Sequence, residues 1–328
     1  MKTNFADKLI DAICEKKSYL VVGLDPQLRY FPSHNLKWAA SNWKDSLQAS
    51  AEAIFDFNRN IIDATCEFAI AFKPQSAFYE KYGHHGVRAF ERTTAYIKSK
   101  GVICIEDAKR SDGGDTAEAY AEGHLGVIDV IGADGRLVQM QSVYNSDAIT
   151  IMPWIENPNF VPFRDVAKRE GKGIFVVDKT SFKPASSLQE MITDDGVPAW
   201  VQLARKVRML GESVKGHHGY SSIGVVMGAT YPEEALIMQK EIPYAFKLKP
   251  GYGYQGAGPD DAVIGVNDDG FGIVVNNSRA TNYAYLKKFS SEFVCESEKF
   301  ANAAAKASKQ GRDLLNDAVK RRIGMLPF

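Results

Sequence analysis

The chain has 328 residues, of which 45% are hydrophobic and 24% are charged. This composition is typical of globular proteins and excludes the disordered, collagen-like and coiled-coil classes. Forty Lys and Arg residues balance forty Asp and Glu residues, so the net charge gives no reason to expect a nucleic acid or an anionic membrane as partner. A small molecule is the expected ligand.

The first 17 residues are rich in charged side chains, which argues against a signal peptide there. No later apolar run approaches the roughly 18 residues that span a bilayer. The four cysteines lie far apart in the sequence, at Cys14, Cys66, Cys104 and Cys295. Such spacing favours reduced thiols over a disulfide framework or a zinc site. We therefore expect a cytoplasmic protein.

Eight short apolar runs rich in β-branched residues recur along the chain, each followed by polar or turn-forming residues. Near-continuous hydrophobicity over so few residues is typical of parallel strands that are buried on both faces. The runs span residues 19–24, 68–72, 102–105, 148–152, 173–177, 223–227, 244–248 and 272–275. Helix-compatible segments such as 49–65, 86–98 and 116–127 lie between them. The sequence thus predicts eight strand–helix units.

Eight such units favour an α/β fold with a single (β/α)8 TIM barrel over residues 1–328. Counting alone leaves an open, doubly wound sheet as the alternative. Two stretches, residues 27–44 and 185–197, interrupt the pattern, and we interpret them as insertions after strands 1 and 5. The residues after about Phe300 are expected to form a C-terminal helical extension.

Ionisable residues follow the predicted strands, where the loops of a TIM barrel build the active site. Strand 1 ends in Asp25, strand 2 in Lys73, and strand 3 in the segment Asp107 to Asp112. In an extended chain Asp107 and Lys109 point to the same side, about 6.6 Å apart at roughly 3.3 Å per residue. Alternating charges of this kind keep each ammonium protonated, which suits a lysine that donates a proton. The other interpretation is a solvated charge cluster where a strand meets its helix.

A glycine-rich loop at residues 251–256 matches the G-x-G-x-x-G pattern of dinucleotide-binding folds. It follows the seventh strand, however, and the eighth ends in Asn276, where an acid should hold a ribose. We therefore predict a phosphate site in which backbone N–H groups, Gln255 and Arg279 bind the anion. Loops after strands 7 and 8 are the usual phosphate site of such barrels. A flexible surface loop is the alternative.

Other polar residues carry less information by themselves. Ser181 follows strand 5, where a hydroxyl can read a polar ring edge but is more often a turn or helix cap. The histidine pairs 84–85 and 217–218 lie in predicted loops without partners at metal-ligand spacing. We therefore expect no metal site at either pair.

Taken together, these motifs resemble the orotidine 5'-phosphate decarboxylase family in its longer bacterial form. The resemblance rests on residues 23–26, 72–80, 107–112, 116–120, 147–150, 180–181, 250–256 and 278–280. The D-x-K-x-x-D pattern of 107–112 is shared with metal-dependent sugar-phosphate enzymes. It is specific for this family only when it occurs together with the other motifs, such as 72–80 and 250–256. The chain departs from the family's usual sequence at Gly113, at 152–154 and at 182–184, which leaves pyrimidine packing open.

The resemblance implies decarboxylation of orotidine 5'-monophosphate to uridine 5'-monophosphate in pyrimidine biosynthesis, without a metal or other cofactor. The implied catalytic residues are Lys73, Asp107, Lys109 and Asp112, with Lys109 as the proton donor to C6. The implied substrate-binding residues are Asp25 and Thr116 for the ribose, Ser181 for the pyrimidine, and Gln255, Gly256 and Arg279 for the phosphate. The family also implies a homodimer, in which Asp112 reaches into the neighbouring subunit's site.

Two alternatives remain open from the sequence. One is a metal-dependent sugar-phosphate decarboxylase or synthase of the same barrel superfamily. Its metal ion needs further acidic ligands, and Glu106 is the only obvious additional candidate. The other is a nucleotide-binding protein without chemistry, which has no use for Lys109.

Overall fold

The barrel is formed by strands drawn from most of the chain. The computed structural model describes residues 2–328. Its strands are β1 (Leu20–Leu24), β2 (Ala71–Pro74), β3 (Ile103–Arg110), β4 (Val127–Ile131), β5 (Leu137–Gln141), β6 (Ala148–Ile151), β7 (Gly173–Lys179), β8 (Ser221–Met227), β9 (Ala245–Lys249) and β10 (Ile273–Asn277). Eight parallel strands close in the order β1-β10-β9-β8-β7-β6-β3-β2. This closure confirms the predicted TIM barrel and excludes the open sheet.

Helices surround the barrel. They are α1 (Phe5–Lys16), α2 (Ser33–Asn42), α3 (Ser46–Thr65), α4 (Ala77–Glu80), α5 (Gly83–Ser99), α6 (Gly114–Leu125), α7 (Asn157–Glu170), α8 (Ser187–Glu190), α9 (Ala199–Gly211), α10 (Pro232–Glu241), α11 (Pro259–Ala262), α12 (Arg279–Asn282) and α13 (Phe300–Ile323). Within residues 2–328, no helix is both long and apolar enough to cross a membrane.

All eight predicted strands are present, with shifted ends. β2 begins at Ala71 because the N–H groups of Phe68 and Ala69 still bond the carbonyl of Thr65 and close the end of α3. β3 and β7 extend beyond their apolar runs into charged residues. Most of these are buried, but Lys109 is exposed and Arg110 is half-buried. These extensions carry charged side chains to the carboxyl-terminal mouth of the barrel.

The long helices follow from local sequence signals. The carboxylate of Asp45 accepts the N–H of Gln48 at 2.7 Å and caps the start of α3. This helix buries an apolar stripe that includes Ile54, Phe57 and Ile61. The predicted C-terminal helix is α13, which packs against α3 and β1 and so completes the ring of helices where the first and last strands meet.

Both predicted insertions are present, and the structure adds a third. The first contains α2, and the second contains α8 and an isolated bridge between Ile192 and Pro198. The third is the antiparallel hairpin of β4 and β5, which stands outside the barrel between α6 and β6. Its side chains Ile131 and Leu137 are largely exposed.

The amino-terminal end of the barrel is covered by α1. Phe5 lies against the start of β7, where a Cβ on Gly173 would come within 2.1 Å of its ring. Phe5 also makes an edge-to-face contact with Phe175, so α1 is anchored on the side opposite the carboxyl-terminal mouth. All four cysteines are free thiols, as predicted.

Candidate active site

A cavity of about 250 Å³ opens at the carboxyl-terminal ends of the barrel strands. Seven of the site residues predicted from the sequence line it: Asp25, Lys73, Asp107, Lys109, Ser181, Gln255 and Arg279. They come from the ends of six different strands, and the apolar side chains Val177, Val226 and Leu248 line the same space. The structure therefore brings together most of the residues that were predicted separately.

The charge array is organised around the carboxylate of Asp107. Buried Lys73 places its Nζ 2.5 Å from Oδ2 of Asp107, and the ammonium of Lys109 donates to Oδ1. The hydroxyl of Thr150 also donates to Oδ1, at 3.0 Å. Three donors thus hold one carboxylate in a fixed orientation, which is the kind of pre-organisation that an active site requires.

The neighbouring charges outweigh burial at two groups of this array. Burial on its own would raise the pKa of Asp107, but Lys73 and Lys109 hold that pKa well below its usual range. Burial on its own would lower the pKa of Lys73, but Asp107 and Asp25 raise it above the ordinary value. Asp107 and Lys73 therefore remain ionised together near neutral pH.

Asp25 has the opposite balance. Burial raises its pKa, the nearby Lys73 opposes this, and Asp107 adds to it. Its Oδ1 is buried and accepts no hydrogen bond from any residue in 2–328. Because unpaired buried oxygens are costly, Asp25 is well placed to accept a hydrogen bond from a ligand hydroxyl.

Lys109 has an unusual backbone conformation. Its φ of +49° lies in the left-handed region, and the register of β3 against β6 shifts between Glu106 and Arg110. The expected extended geometry of 107–109 is therefore wrong, because the strand bulges at Lys109. The backbone N–H of Lys109 donates to Oγ1 of Thr150 at 3.0 Å. A non-glycine residue pays roughly 1–2 kcal/mol for this conformation, a kind of strain that clusters at functional sites.

The glycine-rich loop lies across the cavity from this array. Gly251, Gly253 and Gly256 have φ values of 107°, 78° and 98°, which only glycine adopts readily. The N–H groups of Gly253 and Gly256 bond carbonyls of the loop itself, at 3.0 and 2.9 Å. Two of the N–H groups that we expected to face an anion are therefore already used.

The side chains that we expect to bind an anion lie beside this loop. The guanidinium of Arg279 lies 3.9 Å from the centroid of the Tyr254 ring, a cation–π contact that fixes its position. The hydroxyl of Ser181 donates to Oε1 of Gln255 at 3.1 Å. Gly256 lines an adjoining cavity shared with Ser181 and Gln255.

Besides Gly256, two predicted site residues, Asp112 and Thr116, do not line this cavity. The carboxylate of Asp112 accepts the N–H of Gly113 at 2.7 Å, and Thr116 is exposed on α6. Glu106, the candidate extra metal ligand, is fully buried away from the cavity, where it contacts His124 and accepts the hydroxyl of Ser146 at 2.7 Å.

Sequence reasoning missed Thr150 and Tyr254 as site residues. Thr150 is a hydroxyl within the apolar run of β6, which was a usable signal, whereas the contact between Tyr254 and Arg279 depends on how two loops meet. The expectation that His217 has no ligand-distance partner was also wrong. Its Nδ1 lies 2.8 Å from Oδ2 of Asp7, which is far away in the sequence.

Comparison with known proteins gives a consistent result. The model of the Orotidine 5'-phosphate decarboxylase / HUMPS family matches residues 18–268. An orotidine 5'-phosphate decarboxylase of Caldicellulosiruptor saccharolyticus is 34% identical over 307 residues, covering 94% of this chain and 97% of the relative. One of Clostridium kluyveri is 36% identical over 282 residues, covering 86% of this chain and 88% of the relative.

The solved structures share the same architecture. A crystal structure from Toxoplasma gondii, assigned as an orotidine-monophosphate-decarboxylase, superposes with a TM-score of 0.76 at 27% identity and covers 98% of both chains. The Leishmania donovani OMP decarboxylase superposes with a TM-score of 0.69 at 24% identity, covering 97% of this chain and 99% of that one. At this lower identity the likeness concerns the fold alone.

Proposed function

The chain belongs to the orotidine 5'-phosphate decarboxylase / HUMPS family, and from that premise we propose that it converts orotidine 5'-monophosphate to uridine 5'-monophosphate in pyrimidine biosynthesis, without a cofactor. The observation that carries this proposal is the array of buried Lys73 and Asp107 with the more exposed Lys109, at one side of a cavity whose other side holds Gln255 and Arg279.

The array suits the chemistry of this reaction. Loss of carbon dioxide from C6 leaves an electron pair on a ring carbon with no adjacent carbonyl to accept it, so the barrier falls only if fixed charges stabilise the developing anion. In the proposed mechanism the C6–carboxylate bond breaks and carbon dioxide leaves. The ammonium of Lys109 then gives its proton to C6, and Asp107 and Thr150 hold this region of β3 in place.

The rest of the cavity would hold the substrate. Arg279 and Gln255 bind the phosphate, Asp25 accepts a ribose hydroxyl, and Ser181 contacts the pyrimidine. Enzymes at the upper end of catalysis lower barriers by about 20 kcal/mol, which no single contact supplies. Binding energy from the phosphate must therefore help to hold a closed, dry site.

We further propose that the protein acts as a cytoplasmic homodimer built from single-domain subunits, with Asp112 and Thr116 completing the partner's site. Both residues follow the charge array in the sequence but lie outside the cavity of their own chain. Close to them, next to Gly113, lies Ile155, which is 39% exposed, and the preceding residue Trp154 is 78% exposed. Exposed apolar surface of this kind marks an interaction site.

The metal-dependent sugar-phosphate alternative is less well supported. A divalent cation in the cavity needs several oxygen ligands, yet the acids that line the cavity are Asp25 and Asp107, and Asp107 already accepts from three donors. Glu106 faces His124 and Ser146 instead. The positions of these three side chains favour charge-array chemistry.

An ultraviolet assay of orotidine 5'-monophosphate disappearance tests the proposal. We expect full turnover in excess EDTA with no added metal. The Lys109→Ala variant, purified in the same way, controls for contaminating host enzyme. Absence of turnover contradicts the proposal. Turnover that EDTA abolishes and magnesium restores also contradicts it, and supports the metal-dependent alternative.

A further inference from the structure

A second group of potential ligands lies at the amino-terminal end of the barrel, away from the catalytic mouth. The turn before β8 closes through the N–H of Gly216, which donates to the carbonyl of Tyr220 at 2.8 Å. His217 and His218 form the tip of this turn, and α1 lies against it. At roughly 3.3 Å per residue, the seven residues of β8 put about 20 Å between this turn and the cavity.

The carboxylate of Asp7, on α1, is fixed in the turn. Asp7 is only 3% exposed, and its two oxygens accept the N–H groups of His217 and His218, each at 3.1 Å. Gly216 approaches so closely that a Cβ there would lie 2.3 Å from the carboxylate. The backbone alone therefore orients this group, independently of either imidazole.

Both imidazoles of the turn lie beside the same carboxylate. Nδ1 of His217 is 2.8 Å from Oδ2 of Asp7, and one ligand atom from each of Asp7, His217 and His218 lies within 4.8 Å of the other two. Ligands bound to zinc at about 2.0–2.2 Å lie about 4 Å or less from one another. Small side-chain rotations are thus enough to place all three atoms around one ion.

A fourth oxygen is close. Oδ1 of Asp11, one turn further along α1, lies 3.6 Å from Nε2 of His218. The side chains of His217 and His218 are 67% and 38% exposed, so an ion can enter and retain water. Imidazole and carboxylate donors suit zinc and its transition-metal neighbours better than magnesium or calcium.

We propose that Asp7, His217 and His218 bind a divalent transition-metal ion, with zinc as the metal that this donor set fits best, and that the ion joins α1 to the turn before β8. The site is separate from the catalytic cavity and takes no part in the decarboxylation. Within residues 2–328, no other trio of His, Cys, Asp and Glu ligand atoms lies so close together.

The chain contains a matched control. His84 and His85 are also adjacent, with ring centroids 3.9 Å apart, compared with 4.0 Å for His217 and His218. Asp45 lies 3.8 Å from Nε2 of His85, but its side chain is 57% exposed. This second pair has adjacent imidazoles and a carboxylate but lacks a buried, backbone-held acid.

The experiment measures zinc binding to the full chain, without a histidine tag, after treatment with EDTA and dialysis. Calorimetric titration with zinc chloride is expected to show one ion per chain, and zinc is expected to raise the thermal unfolding midpoint. The His217→Gln/His218→Gln variant is expected to bind zinc at least about tenfold more weakly. The His84→Gln/His85→Gln variant should bind like the original chain.

Cobalt(II) provides a second readout, because it gives a visible absorption band when imidazole nitrogens bind it in a zinc site. The band should appear in the original chain and be lost in the His217→Gln/His218→Gln variant. If that variant fails to fold, His218→Gln alone gives the same comparison. The proposal is overturned if the original chain binds no zinc, or if the histidine substitutions at 217 and 218 leave zinc binding unchanged.

Discussion

Replacing Lys109 with alanine should separate catalysis from stability. The side chain of Lys109 is 41% exposed, so its ion pair with Asp107 contributes about 1 kcal/mol or less to folding. Asp107 keeps two further donors, Lys73 and Thr150, and no buried charge is left unpaired. We therefore expect the free energy of unfolding to fall by no more than about 1 kcal/mol.

The expected effect on turnover is much larger. Loss of a positioned proton donor costs about 10²- to 10⁴-fold in rate, and loss of a charge that faces a developing anion costs about 10²- to 10³-fold. Both roles belong to one ammonium, so the two effects overlap rather than multiply fully. We expect kcat/KM of Lys109→Ala to fall by at least about 10⁴-fold, which is about 5.5 kcal/mol of transition-state stabilisation.

Urea unfolding and the ultraviolet assay measure the two quantities on the same preparations. Lys109→Gly should be as inactive as Lys109→Ala but about 1 kcal/mol more stable, because glycine relieves the positive φ. Lys168→Ala, at an exposed position on α7, controls for loss of a surface lysine. Turnover of Lys109→Ala within tenfold of the original chain, or destabilisation above about 3 kcal/mol, would refute the reasoning.

Three further outcomes are expected. Arg279→Ala should lower kcat/KM at least tenfold, because a charge-assisted hydrogen bond contributes about 1.5–3 kcal/mol. An unchanged kcat/KM would show that Arg279 does not bind the substrate. Asp178→Asn should stabilise the fold at pH 8 but less so near pH 4. Burial, opposed by Lys179, raises the pKa of Asp178 well above its usual value. The folded state therefore loses stability as pH rises above the unfolded pKa of about 4. Urea unfolding that gives the same difference in unfolding free energy between Asp178→Asn and the original chain at both pH values contradicts this prediction. Inactive Lys109→Ala and Asp112→Ala chains, mixed and allowed to exchange subunits, should recover up to about a quarter of the original activity, because half the dimers carry one intact site; no recovery argues against a shared site.

The barrel could be predicted because its main signal is local. Each of the eight strands is buried on both faces, and this is visible as an apolar run of four to six consecutive residues. The ends of β3 and β7 could not be predicted in this way, since Asp107 and Lys179 are buried only because charges from other elements pair with them. The hairpin of β4 and β5 was missed because its apolar residues are exposed rather than part of a core.

The site could be predicted where strand order alone determines proximity. Lys73 and Asp107 end neighbouring strands, so their meeting follows from the fold. The positive φ of Lys109 could not be predicted, because it results from a register shift between β3 and β6 that no residue type indicates. The contact between Asp7 and His217 was hidden for another reason, namely that their proximity depends on how α1 covers the end of the barrel.

The closure of the ring through β1 has a consequence for biosynthesis. β1 pairs on one side with β2 and on the other with β10, so its second edge has no partner until β10 has left the ribosome. At about 5–20 residues per second, this edge stays unpaired for many seconds and is a template for pairing with other nascent chains. The emergence of β10 thus determines when this edge of the newly made protein is protected from aggregation.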